Sequence, residues 1–466
     1  MKVTSNDFTS AATSSLKDGE MRRSVNQATT TAYQKRIDLM FEAGHAHGEA
    51  LRRRAAQAKR RALQRLPELL DQAEAKLTAN GAHVLWASDG DEVNRLVLEI
   101  ISQHAVNSVV KSKSMVSEEV GLNEALEGQG IEVIETDLGE YILQLAGEPP
   151  SHIVTPVIHK TLTSIRDLFI EQLNMTPTDD AQEMARFARQ VLREKFITAD
   201  MGITGGNFLI AETGSIGLVT NEGNGRMVTC LPRVHVAIVG IEKIVATLED
   251  YALLTQVLPR SATGQSMPVY THMYNGPRKA GEADGPDEMY VILVDNGRSA
   301  IFNSGYAQIL TCIRCGACMN ACPVYQSTGG HAYGWVYPGP LGAVLTPLLV
   351  GLERARPLPH ASSLCGACKQ VCPVDIDLPQ MLLDLRHDLH HQRAVDPTWK
   401  WGMKLWAFGA RFPALFGIGG RMARLLTGDR SLKRLPGLLS RWTKYRDFPP
   451  FAKQSFRRQW RKRRGG

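Results

Sequence analysis

The chain reads as an α/β domain joined to a mainly α-helical module built on two cysteine runs, followed by a basic helical tail. Three observations lead there. Strand-like and helix-like stretches alternate through the first three hundred residues. Seven of the eight cysteines crowd into TCIRCGACMNACP and SLCGACKQVCP. From Trp399 onward, 18 Lys and Arg face only Asp429 and Asp447. With a net charge of +7 over 466 residues, everything before the tail is therefore net acidic.

Composition sets the outer limits. Hydrophobic residues make up 43% and charged residues 22%, the balance of a globular chain with two or three domains rather than a disordered one. The N-terminus, MKVTSNDFTSAATSSLKDGEMRR, has no apolar run and no secretory signal, so the chain is expected in the cytoplasm. That compartment also keeps thiols reduced.

In chain order, residues 1–68 form a helical segment. Leu51, Ala55, Ala58, Ala62 and Leu66 recur at helical spacing until Pro67, and Arg52, Arg53, Lys59 and Arg60 are expected on a solvated face. Residues 69–300 form the α/β domain. AHVLWAS, DEVNRLVLEIISQHA, NSVVKSKS, SEEVGLNEALEGQG and IEVIETD alternate between strand and helix. A helix begins at Asp180 with a capping-box-like Glu183, and Met184, Phe187, Val191 and Leu192 form its core stripe. Strands resume in GNFLIAETGSIGLVTNEGNGR, VHVAIVG and MYVILVDNG.

The glycine-rich stretch from Gly205 to Arg226 offers Glu212, Thr213, Ser215, Asn221, Glu222 and Arg226 to a phosphate or carboxylate. A hairpin turning at Asn-Glu-Gly-Asn-Gly explains most of the same glycines. Lys111 and Lys113 are further candidates, although surface lysines are commoner. Neither a Rossmann nor a Walker fingerprint occurs.

Residues 301–390 carry the densest chemistry. Cys312, Cys315, Cys318 and Cys322 read C-x2-C-x2-C-x3-C-P, the iron-sulfur run whose fourth cysteine serves a second cluster. Cys365, Cys368 and Cys372 repeat the C-x2-C-x3-C-P tail. Crossed ligation then gives one cluster Cys312, Cys315, Cys318 and Cys372, and the other Cys322, Cys365 and Cys368. The second lacks one thiolate, because three positions before Cys365 stands Ser362. Ser362, His360, His331, water or a partner's residue can complete a four-iron cluster, or the iron is absent and the centre has three. Two 4Fe-4S clusters are the expectation, with 3Fe-4S or a non-cysteine ligand as the alternative for the second.

Triplet spacing with trailing Pro323 and Pro373 suits zinc poorly, since zinc takes two pairs. Disulfides belong to small secreted domains. Cys230 reads as a buried apolar residue. The stretch from Gly339 to Leu352, broken by Pro340 and Pro347, is too short to span a bilayer and is expected to cover the clusters.

The tail, residues 391–466, is also aromatic: Trp399, Trp401, Trp406, Phe408, Phe412, Phe416 and Trp442. Docking on a partner subunit, or on the chain's own domains, is the first reading. Contact with the inner face of the membrane is the second, and no nucleic acid is expected.

The segment from VVKSKSMVSEEVGLNEALEGQG to GEPPSHIVTPVIHK, followed by GGNFLIAETGSIGLVTNEGNGRM, resembles the LUD domain. Joined to the two cysteine motifs and the basic tail, it resembles the lactate utilisation protein B family. The resemblance implies an α/β fold like the ribose-5-phosphate isomerase and CoA-transferase group, a ferredoxin-like two-cluster module, and a role in oxidising L-lactate to pyruvate. It also implies two companion subunits, one cysteine-rich and one LUD-only. The family's cluster ligands carry over onto the seven cysteines, but no catalytic residue does. Lactate gives up two electrons and each cubane accepts one, so two clusters suit an electron relay. The alternative makes the LUD domain a small-anion-binding enzyme with the clusters as its electron outlet.

Overall fold

The computed structural model describes residues 2–391 and 397–464, apart from 429, 430, 436, 438, 439, 441, 442 and 444–446. It divides into two compact units, Met1–His391 and Gln392–Gly466.

The first unit is built on a six-stranded, all-parallel sheet. Its strands are β1 (His83–Ala87), β2 (Ser108–Lys111), β3 (Glu132–Glu135), β4 (Met201–Thr204), β7 (Val234–Gly240) and β10 (Glu288–Val294), in the order β1-β10-β7-β4-β2-β3. Every residue of β7 is buried, as a parallel strand covered on both faces requires. Helix Gly90–Gln103 covers one face with Val93, Val97 and Ile100, and Leu66–Ala79 covers the other with Leu69, Ala73 and Leu77. Pro67 starts that second helix, where its missing N-H costs nothing.

A second sheet holds β5 (Phe208–Ile210), β6 (Ser215–Thr220), β8 (Ile244–Val245) and β9 (Tyr270–Tyr274), in the order β8-β5-β6-β9. The hairpin joins β5 to β6 antiparallel, and its turn carries Gly214 at φ 64°, where a Cβ would strike the Lys76 and Leu77 backbone. The turn expected at Asn-Glu-Gly-Asn-Gly instead leads from β6 into helix Asn224–Cys230, with Gly223 as its N-cap. Helix Ala181–Thr198 starts as expected, with Asp180 accepting the Gln182 N-H. Glu183, however, accepts from Thr178 rather than closing a capping box. Met184 and Leu192 are buried, Phe187 and Val191 half-buried.

The N-terminal helices, Gly19–Met40 and His45–Gln64, pack against the cysteine-bearing segment. Two members of the supposed solvated face are buried there. Arg52 donates to the carbonyl of Cys372 at 2.8 Å, and Lys59 donates to the carbonyls of Glu242 and Ile244 at 2.8 and 3.0 Å. Helical periodicity marks these positions as next to the apolar stripe, and long side chains reach from there to buried carbonyls. Arg53 and Arg60 are exposed. The apolar stretch forms helix Gly339–Val350, buried through Pro347.

In the second unit, helices Pro397–Arg411 and Pro413–Thr427 pack on each other, Phe408 meets Phe412 edge-on, and Leu432 pairs with Phe448. Trp401, Trp406, Phe408, Phe412 and Phe416 are all exposed. Trp442 and the side chain of Trp399 lie outside the described residues. Among the described residues no helix is long and apolar enough to cross a membrane.

Candidate metal centre

Each cysteine run is a tight loop followed by a short helix. Cys312 ends the turn Ala307–Thr311, Gly316 at φ 75° opens helix Ala317–Asn320 bearing Cys318, and Cys322 caps helix Pro323–Thr328. A Cβ at Gly316 would also press on His152, so glycine is required there twice over. In the second run Gly366, at φ 85°, opens helix Ala367–Val371, which ends at Cys372.

The fold brings Cys312, Cys315, Cys318 and Cys372 around one cavity, closed by Leu341, Val374, Ile376 and Leu378. Cys372 comes from 54 residues beyond Cys318 in sequence. Leu341 belongs to the apolar helix, which accordingly walls this cavity. Cys322, Cys365 and Cys368 are electrostatic neighbours of one another, and Cys318 of Cys368. Among the described residues no three His, Cys, Asp or Glu side chains converge on a single ion.

Burial pushes the Cys315 and Cys368 thiols up to about 12 and Cys372 to about 11. Thiolates there need a cationic centre to balance them, and peptide N-H groups are already turned toward the sulfurs. Arg314 N-H reaches Cys312 Sγ at 3.4 Å and Ile376 N-H reaches Cys372 Sγ at 3.3 Å. Cys365 is exposed, and its thiol is held down chiefly by the Ala367 N-H. This donor set fits iron-sulfur cages. Cys230 is half-buried rather than buried and sits apart from the others, in helix Asn224–Cys230.

Of the noncysteine candidates, His331 Nε2 is bonded to the Pro149 carbonyl at 2.8 Å, and its ring meets His159 edge-on. His360 is electrostatically close to Arg386. Ser362 is half-buried, with its Oγ on the Leu364 N-H.

A cleft of about 550 Å³ opens beside the Cys312 loop, lined in part by Lys113, Asn207, Glu222, Asn224, Lys243 and Arg314. Arg314, at φ 58°, lies over the Tyr337 ring and pairs with Glu242 at 3.3 Å, leaving Nε and Nη1 buried without partners. Burial lowers Lys243 to about 8. Sequence reasoning missed Arg314 and Lys243; an Arg inside a C-x2-C loop was the one available signal. Only Asn221 and Glu222 of the polar residues marked in the glycine-rich stretch line this cleft. Lys111 is no surface lysine: it is fully buried between Glu118 and Glu135, each at 2.8 Å. Burial alone would lower its pKa, but the two carboxylates hold it raised.

Family models match along the chain: LUD domain over residues 70–294, 4Fe-4S dicluster domain over 308–376, and lactate utilisation protein B, C-terminal, over 391–465. The protein named Lactate utilization protein B of Shouchella clausii (strain KSM-K16) is 44% identical over 98% of this chain and 97% of its own length. Those of Bacillus velezensis (strain FZB42) and Bacillus licheniformis are 42% identical, again over 98% of this chain and 97% of theirs. A solved DUF162 family protein from Deinococcus radiodurans aligns with 49% of this chain and 98% of that one. Its 17% identity and TM-score of 0.28 are too low to bear on the argument. With a LUD domain, an iron-sulfur dicluster region and near full-length relatives at this identity, the chain belongs to the lactate utilization protein B family.

Proposed function

We propose that this chain is the iron-sulfur electron-transfer component of a system that oxidises L-lactate to pyruvate. Cys312, Cys315, Cys318 and Cys372 hold one 4Fe-4S cluster, and Cys322, Cys365 and Cys368 supply three ligands to a second. Each cluster, when bound, supplies a one-electron site, so the pair accommodates the two electrons of one lactate. The observation that carries the reading is the single apolar cavity bounded by four cysteines from two distant runs, with the remaining three beside it.

The chain's own residues do the rest. Leu341, Val374 and Ile376 exclude water from the first site, and the N-H groups of Arg314 and Ile376 stabilise negative charge on sulfur. The segments 1–68, 69–300, 301–390 and 391–466 act as brace, LUD domain, cluster module and docking tail. The LUD domain's kinship with the ribose-5-phosphate isomerase and CoA-transferase group is part of the same reading. So are the two companion subunits, one cysteine-rich and one LUD-only, and a cytoplasmic location with the tail able to meet the inner membrane face. Electron paramagnetic resonance of anaerobically purified chain, with iron and sulfide counts, tests it: two interacting centres support the relay, and a single centre or none refutes it.

The cleft favours a second reading, in which a small anion binds next to the first cluster. Arg314 and Lys243 both line a space with room for a carboxylate and its water. L-Lactate or pyruvate titrated calorimetrically into the intact chain should bind saturably, and Lys243→Gln should weaken that binding at least tenfold. Equal binding by the variant would refute it.

A further inference from the structure

The two cysteine runs are copies of one backbone unit at a constant offset of 50 residues, pairing Cys315 with Cys365, Cys318 with Cys368 and Cys322 with Cys372. Their hydrogen bonding repeats as well. The sulfurs of Cys315 and Cys365 accept from the N-H groups of Ala317 and Ala367, and those of Cys322 and Cys372 from Val324 and Val374. Gly316 and Gly366 have φ of 75° and 85°. Arg314 and Leu364, neither a glycine, share the strained left-handed conformation at 58° and 53°. A bulky residue adopts that conformation only where its surroundings impose it.

Extending the offset by one more member pairs Cys312 with Ser362. At the head of the first run, Cys312 Sγ accepts the Arg314 N-H at 3.4 Å. At the head of the second, Ser362 Oγ accepts the Leu364 N-H at 3.1 Å. The serine oxygen therefore stands in its loop where the thiol stands in the other, fixed by the same contact.

We propose that Ser362 Oγ is the fourth protein ligand of the second cluster, completing the set of Cys322, Cys365 and Cys368. The proposal rests on the two-cluster reading above. Ligation forms an iron-oxygen bond, breaks the O-H bond and releases the proton to solvent, with no change in electron count. His331 lies between the two runs, outside the repeated unit, and has no counterpart in it. His360 stands two residues before the repeat begins and has no counterpart role in the first run. An alkoxide is a harder, more electron-donating ligand than a thiolate, so it favours the oxidised cluster. The second cluster should thus have a lower reduction potential than it would with a cysteine in the same place.

The test uses the full chain, purified anaerobically, as wild type, Ser362→Ala and Ser362→Cys. Readouts are iron and acid-labile sulfide per chain, electron paramagnetic resonance, and the potential of each centre. Wild type is expected to hold about eight irons, the content of two cubanes. Ser362→Ala should lose about one iron and gain the signal of an oxidised three-iron centre, leaving the first cluster unchanged. Ser362→Cys should keep all the iron and raise the potential of the second centre alone. A wild-type three-iron centre, or a Ser362→Ala protein with unaltered iron and spectrum, would overturn the assignment. Should Ser362→Ala not fold, a Ser362→Cys protein with an unshifted potential overturns it by itself. A wild-type protein with only about four irons would instead defeat the two-cluster reading, which keeps the two failures distinct.

Discussion

Arg298 grips Glu119 with both ends of its guanidinium, Nη1 to Oε1 at 2.8 Å and Nη2 to Oε2 at 3.0 Å, and both side chains are almost wholly buried. Glu119 Oε2 also accepts the Tyr337 hydroxyl at 2.6 Å, and Arg298 Nε pairs with Glu242, the partner of Arg314. This chain of charges ties the LUD sheet to the cysteine loop. Burial would raise Glu242, but Arg298 and Arg314 hold it down to about 2.

Arg298→Met should therefore strand two buried carboxylates and cost about 3 to 5 kcal/mol. Anaerobic denaturant unfolding of the holoprotein measures this. Arg298→Lys should fall between, because an ammonium restores charge without the two-pronged fork. A Met variant as stable as wild type would show that the network contributes little.

Cys318→Ala should remove one cluster and leave the other. Iron content should drop by about half, since each cubane carries four, and lactate-dependent reduction in the presence of the companion subunits proposed above should vanish. The retained signal in resonance spectra is the check that the chain remains folded.

Lys59 gives a pH prediction. Burial lowers its pKa from 10.5 to about 7, with Lys243 and Arg314 adding to the effect and Glu242 opposing it. Between those values the unfolded chain holds a proton that the folded chain lacks, so this residue makes stability rise with pH from about 7 to 10.5 and contributes no slope below 7. Lys59→Met should remove that component. Subtracting the variant's stability curve from that of wild type isolates it, and a flat difference across this range would count against it.

The exposed aromatics of the tail should serve docking. Trp401→Ser combined with Trp406→Ser should leave iron content and unfolding of the cluster-bearing unit unchanged, yet reduce co-purification with the proposed companion subunits at least tenfold. Fractionation of cell membranes before and after a salt wash reads the membrane alternative. Retention on washed membranes by wild type, lost in the double variant, would move the tail's target from protein to lipid.

Sequence by itself determined the chemistry that depends on local spacing. Sulfurs three or four residues apart, with glycines that admit left-handed turns and prolines that end each run, mark an iron-sulfur dicluster region whatever surrounds them. The buried strand VHVAIVG was legible for a similar reason, because a run apolar on both faces has few other places to go. Contacts that close over long distances were not legible. Arg52 reaching the Cys372 carbonyl, Lys59 sealing the Glu242 turn, Lys111 between two carboxylates and Arg314 in the lining of a cleft all depend on which segments meet. A long cationic side chain has the same local pattern whether its tip ends in water or against a buried oxygen, and only the tertiary structure decides which. The role of Ser362 lies between these cases: its position three before Cys365 was visible in the sequence, but its equivalence to Cys312 required the two loops to share the same backbone turn.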